Sequence, residues 1–258
     1  MTDPAAQSAI YALWDELADF GAARAQDARN HLLTGLCALV GAQNANWTGA
    51  VRMDDVGPGD PVRGWRARVI HFLHPDRILV GKAREQQRGV ERGRVDETVL
   101  RQVADSGRFR IHRLAELVGP AWFQGDYYRD YYLGMNRADA LWAGIPINQD
   151  AELYVGIFRE PGRPPFTDAE RDAAGAALRG LRWFHRQQML AEGVGVASAP
   201  LSPAERQVLR GLLQGQTQKQ IATVLGHSPH TTREYARRIF RKYGVSDGAQ
   251  LMSLWLGR

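Results

Sequence analysis

Five cations crowd one short stretch near the end of the chain. Arg233, Arg237 and Arg241 recur every four residues, with Arg238 and Lys242 beside them. At 3.6 residues per turn that spacing puts the first three along one helical face. A row of guanidinium groups suits phosphate oxygens, and it also suits the paired acceptors of guanine in a DNA major groove. Ala236, Ile239, Phe240 and Tyr243 make an apolar stripe on another face, so the helix has one side to bury and one to offer. The ordinary alternative is a solvated cationic face with Glu234–Arg238 as an i,i+4 pair, worth only about 0.3–0.5 kcal/mol.

The second concentration of chemistry is aromatic. Trp122, Phe123, Tyr127, Tyr128, Tyr131, Tyr132 and Trp142 fall within 21 residues. The four tyrosines, at i, i+1, i+4 and i+5, are predicted to share one helical face. Small-molecule pockets are mostly apolar and aromatic with a few polar groups, which makes Trp65, Trp122, Tyr127, Tyr131 and Trp142 the candidate ligand lining; aromatics at this spacing also build cores. His71, His74 and Asp76 sit at a strand-to-turn position without a partner cluster, so no metal site is expected. Cys37 is alone, which excludes a disulfide framework and a thiolate cage and leaves it as a small buried hydrophobe. The chain carries no phosphate loop, nucleophile elbow or framed carboxylate pair. No catalytic residue and no cofactor are expected, and the chain does not read as an enzyme.

The cationic helix needs elements to hold it. Thr217 is an N-cap for a short helix with Ile221, Ala222 and Leu225 at helical spacing, and Gly226 ends it by accepting a positive φ. Ser228 caps the next helix, with Pro229 at its first position, where a missing N–H costs nothing. A compact pair of this kind is the shape of a helix-turn-helix, whose second helix enters the major groove. Two small helices cannot bury a core alone. Ser202-Pro203-Ala204-Glu205 opens a helix before them with a capping box and the stripe Val208, Leu209, Leu212 and Leu213. A last helix, Gly248 to Leu256, follows them with Leu251, Leu254 and Trp255.

Residues 201–257 resemble the LuxR-type (GerE-like) DNA-binding domain of bacterial transcription regulators. The pieces that match are LSPAERQVL, TQKQIATVLG, SPHTTREYARRIFRKYGV and DGAQLMSLWL, ungapped and in the family's order. The resemblance implies that Arg233, Glu234 and Arg237 face DNA bases, and that Thr217, Lys219, Thr231, Tyr235, Arg238 and Lys242 contact phosphates. It also implies that the closing helix is a dimer surface, so that a homodimer binds a pseudo-palindromic double-stranded operator.

Charge agrees with that division. Residues 201–258 hold nine cations and three anions, a net +6, which leaves −1 of the total +5 for the other 200 residues. A cationic module on a near-neutral body is what a phosphate-binding head shows. No apolar run is long enough to cross a membrane and the N-terminus lacks a signal-peptide layout, so a cytoplasmic protein is expected.

The front half mixes helix and strand patterns. Helices are predicted over 8–20, 28–41, 75–88 and 96–105, and strands over 46–53, 66–73 and 108–114. A β-hairpin is expected from Leu141–Asn148 and Glu152–Arg159, and one long helix from Thr167 to about Ala191. The stretch from YYRDYY to EPGRPPFTDAERD resembles the GAF-like or PAS-like halves of single-component LuxR-type regulators. The expected fold class is therefore an α+β sensor-like domain followed by an all-α four-helix domain. The boundaries are 1–192 for a sensor or dimerisation domain, 193–200 for a linker and 201–258 for the helix-turn-helix. Read together, these describe a one-component transcriptional regulator controlled by a small molecule or a partner. The competing reading is an enzyme or a protein-interaction domain fused to a DNA-binding tail.

Overall fold

Five runs of strand-forming residues in the front half form one antiparallel sheet. In the computed structural model, which describes residues 3–53, 57, 59–194 and 201–255, they are β1 (Asn44–Arg52), β2 (Trp65–Phe72), β3 (Arg110–Arg113), β4 (Asp139–Pro146) and β5 (Ala151–Arg159), in the order β2-β1-β5-β4-β3. The register makes two rows of side chains across the sheet. His71, Trp47, Val155, Ala143 and Ile111 stand directly opposite one another on one face. One position along, Ile70, Thr48, Tyr154, Gly144 and Arg110 make the matching row on the other, because successive side chains alternate. Trp47, Val155 and Ala143 of the first row belong to the buried core, and Ile70, Thr48 and Tyr154 of the second line a cavity.

The helices of the front half are α1 (Pro4–Ala18), α2 (Ala25–Val40), α3 (Arg77–Glu91), α4 (Glu97–Ala104), α5 (Leu114–Leu117), α6 (Asp126–Tyr131) and α7 (Asp168–Arg179). On the apolar face, His71 Nε2 lies 2.6 Å from Asn30 Oδ1 of α2, and Ile111 packs against Gly175 of α7. On the other, Gln87 of α3 donates to the Ala67 carbonyl at 3.0 Å. Cys37 is buried on α2, and burial pushes its thiol up to about 12.

The long helix expected from Thr167 to Ala191 is two helices, α7 and α8 (Arg182–Glu192). Thr167 caps α7 as expected, its hydroxyl accepting from Glu170 N. The break follows from Trp14. Its indole N–H donates to the Ala177 carbonyl at 2.8 Å, the acceptor that Leu181 N would use in an unbroken helix. Leu181 N instead bonds to Leu178 O at 3.1 Å. Gly180 admits the Trp14 ring, since a Cβ there would stand 2.8 Å from Trp14 Cζ2. The tyrosine cluster also departs from a simple helical face: α6 is six residues long and Tyr132 is its C-cap.

The chain divides into two compact units, Met1–Asp15 with Asn30–Arg182, and Glu16–Arg29 with Trp183–Arg258. The second is all helical and adds α9 (Pro203–Leu213), α10 (Gln218–Leu225), α11 (Pro229–Tyr243) and α12 (Gly248–Trp255). Its core joins Leu190, Leu201, Val208, Leu209, Ile221, Ile239, Leu251 and Trp255. Most of the expected linker (195–200) and Leu256 at the end of the closing helix lie outside the described residues.

Candidate functional sites

The helix pair is built by its caps. Ser202, Thr217 and Ser228 each accept a backbone N–H three residues on, and Gly226 ends α10 at φ 66°. Ala236, Ile239 and Tyr243 anchor α11 in the core, with Thr232 fully buried beside them. That burial leaves Arg233, Arg237, Arg238 and Arg241 exposed. Arg237 Nη1 lies 3.1 Å from Glu234 Oε1, with the Arg237 side chain 74% exposed, so the guanidinium is held at the surface and remains accessible. Thr217 and Lys219 are exposed at the start of α10 and Thr231 is half-buried at that of α11, where unpaired N–H groups and the helix dipole favour an anion. Tyr235 is half-buried against His227, and Arg238 lies 5.9 Å from its ring centre. Lys242 differs from the rest of the cationic set. Its ammonium donates to Glu205 Oε2 at 2.7 Å, and Glu205 is almost fully buried at the start of α9.

The second site lies in the front unit, where β1, β2, β4 and β5 face α3, α4 and α6. A cavity of about 630 Å³ opens there. Trp65, Tyr127, Tyr131 and Trp142 of the expected lining meet in its wall. Trp122 does not: it packs on Phe123, Tyr128 and Tyr132, and its indole donates at 2.9 Å to Asp96, which does line the cavity. Tyr132 OH accepts from Trp142 Nε1 at 3.0 Å, and Tyr127 OH from Gln86 Nε2 at 2.8 Å. Burial raises both phenols, so both stay neutral.

Two glycines make room for the side chains around the cavity. A Cβ on Gly156 would stand 2.8 Å from Trp142 Cζ3, and one on Gly144 would stand 2.3 Å from the guanidinium carbon of Arg110. The Arg110 fork meets Glu152 at 2.7 and 3.1 Å, with both side chains buried, and Tyr154 OH donates to the same carboxylate at 2.6 Å. Tyr154 lines the cavity, and Arg137, Gln102, Asp96 and Thr98 are among its other polar lining residues, with Arg66, Arg94, Glu85 and Glu91. Asp96 Oδ1 accepts from Thr98 N at 2.8 Å, which caps α4.

His71 and Asp76 have structural partners. Asp76 caps α3 through Leu79 N at 2.8 Å, and among the described residues no His, Cys, Asp and Glu group could hold a metal ion.

Comparison with known proteins places the helical end of the chain. The family described as "Bacterial regulatory proteins, luxR family" (GerE) matches residues 199–255. Those residues form a luxR-family domain. A domain of this family marks a DNA-binding transcriptional regulator. No curated protein matches the chain by sequence. Among solved structures, SdiA in complex with octanoyl-rac-glycerol is 12% identical, covers 100% of this chain and 96% of that one, and has a TM-score of 0.51. A second structure, Escherichia coli SdiA, is 13% identical over 97% of this chain and 96% of that one, with a TM-score of 0.46. The VqsR LBD domain from Pseudomonas aeruginosa is 15% identical over 72% of this chain and 98% of that one, also at 0.46. The first likeness shows the fold alone. No helix among the described residues is long and apolar enough to cross a membrane.

Within the luxR-family domain, sequence reasoning found the caps and the exposed arginines but not the Glu205–Lys242 pair, because 37 residues separate its members. In the front unit it found four aromatic lining residues and missed the polar ones. Asp96 had a legible signal, an Asp before a helix, but that signal reports the cap and not the cavity. Arg137 had none.

Proposed function

We propose that the chain is a one-component transcriptional regulator and not an enzyme: a cytoplasmic homodimer that binds a pseudo-palindromic operator under control of a small molecule held by the front domain. The proposed boundaries are 1–192 for the sensor domain, 193–200 for the linker and 201–258 for the luxR-family domain. Arg233, Glu234 and Arg237 read base edges, and Thr217, Lys219, Thr231, Tyr235 and Arg238 contact phosphates. Lys242 serves the domain's own fold through Glu205.

The observation that carries the DNA reading is an exposed arginine row on a helix whose opposite face is fixed in the core of a luxR-family domain. The ligand reading rests on the aromatic cavity, whose volume lies in the usual range for small-molecule sites. The fold likeness to SdiA, solved with octanoyl-rac-glycerol, supports it. Two heads on adjacent half-sites stand roughly 34–36 Å apart, one turn of DNA, so a front domain that sets this spacing controls the affinity for the paired site.

Gel shifts on matched and mutated operators test the reading face. Arg237→Ala is expected to weaken specific binding by about 1–3 kcal/mol and to relax preference at one position, while Arg238→Ala weakens all sequences nearly equally and lowers the salt slope by about one. Full discrimination by Arg237→Ala would overturn the assignment.

A further inference from the structure

Arg137 is the exception among the buried arginines of the front unit. Arg110 has Glu152 and Gln102, and Arg159 has Glu170 with the carbonyls of Val40, Pro164 and Pro165. Arg137 is only 5% exposed, yet among the described residues Nε and Nη2 have no hydrogen-bond partner and no carboxylate stands within ion-pair distance. Its guanidinium lies over two ring faces, 3.9 Å from the Phe158 centroid and 5.6 Å from that of Phe72. Ring faces offset part of the cost of burying a cation, but they do not replace a counter-ion. Burial pulls the group down to about 10, which leaves it charged at neutral pH.

Arg137 lines the cavity, and so does a second buried donor without an acceptor, Gln102 Nε2. The amide is oriented by its own oxygen, which accepts from Arg110 Nε at 3.0 Å. Both unmet groups are therefore donors, so an occupant that satisfies them brings acceptors. The charge it can bring is small. Asp96, Glu85 and Glu91 also line the cavity and offset Arg94 and the Asp60-paired Arg66, so the lining does not favour a dianion. The apolar part of the wall includes Trp65, Ile70, Phe72, Val90, Val99 and Trp142.

We propose that the ligand is an amphiphilic monocarboxylate, its carboxylate paired with Arg137 and its apolar body among these side chains. This rests on the reading of the cavity as a ligand site and adds the charge of the ligand to it.

The test needs only wild-type, full-length protein: thermal shift and calorimetric titration with C6–C12 alkanoates and arylalkanoates, each beside its neutral amide, and with 1-octanoylglycerol. A charge-assisted pair to a buried arginine is stronger than a neutral hydrogen bond. The best acid should therefore bind at least about 10-fold tighter than its amide, 10-fold being 1.4 kcal/mol. Arg137→Met should abolish that ratio and raise the melting temperature of the empty protein, since it removes an unpaired buried charge. If that variant does not fold, the wild-type acid-to-amide ratio decides alone. Neutral amphiphiles that bind as well as or better than the acids would overturn the carboxylate while leaving the ligand site in place. If neither acids nor neutral amphiphiles bind, both proposals fall.

Discussion

Glu152→Ala removes the partner of a buried cation and should be strongly destabilising to the front unit. Arg110 and Glu152 are 6% and 1% exposed, and the carboxylate takes two bonds from the guanidinium and one from Tyr154. Breaking a buried pair from one side costs about 3–5 kcal/mol, because the surviving charge is left uncompensated. Arg110 would keep the Gln102 side-chain oxygen at 3.0 Å and the Gln102 and Arg108 carbonyls at 2.5 and 3.0 Å, so the lower end, about 3 kcal/mol, is expected. At about 2–4 °C per kcal/mol for a unit of this size, the melting transition of the front unit should fall by roughly 6–12 °C. Scanning calorimetry of the full chain reads this directly. The double variant Arg110→Met/Glu152→Leu leaves no charge behind and should recover most of the loss. A loss of less than about 1 kcal/mol in Glu152→Ala, or a double variant no better than the single, would refute the view that the pair is held by mutual neutralisation.

The luxR-family domain supplies three further tests. Thr232 is fully buried with no partner for its hydroxyl, so Thr232→Val should stabilise the domain by about 1–2 kcal/mol in urea titrations, and a loss would mean that the hydroxyl has a use. Gly226 sits at φ 66°, so Gly226→Ala should cost about 1–2 kcal/mol, and a melt unchanged from wild type would show that the turn adapts. Burial alone would raise the Glu205 carboxyl, but hydrogen bonds from Lys242 and from Ser202 hold it below its ordinary 4.5. A depressed folded value gives stability that is present above about 4.5 and is lost as pH falls through the folded value. Lys242→Met should therefore start its acid unfolding at higher pH than wild type, and coincident acid midpoints would count against the pair.

How legible the structure was depended on how far apart the interacting residues lie in the chain. The caps Ser202, Thr217, Ser228 and Thr167 could be read because capping is decided within four residues. The sheet strands were readable from alternation, and the hairpin of β4 and β5 from two runs with a short turn. The helix break at Gly180 was not readable, since its cause, Trp14, lies more than 160 residues earlier and the local pattern continues through the break. The cavity was half readable. Aromatic density located part of its lining, but which aromatic turns outward from it, as Trp122 does, depends on an Asp96 contact across 26 residues. Arg137 looks like any surface arginine in the sequence; only its enclosure distinguishes it.

The end of α8 bears on any attempt to graft this DNA-binding module onto another front domain. Leu190 is part of the core closed by Val208, Ile239 and Trp255, and its carbonyl accepts a hydrogen bond from the Tyr243 hydroxyl. Arg29 is joined to Gln188 and Glu192 in the same unit, and Glu192 also meets Arg206 of α9. A chimera cut at the linker would leave these plugs with the donor, so the graft would begin life with a hole under α11. Moving the seam upstream to Trp183 keeps the α8 plug with the graft, and only the Glu16–Arg29 segment, with its Arg29 contact, is left behind.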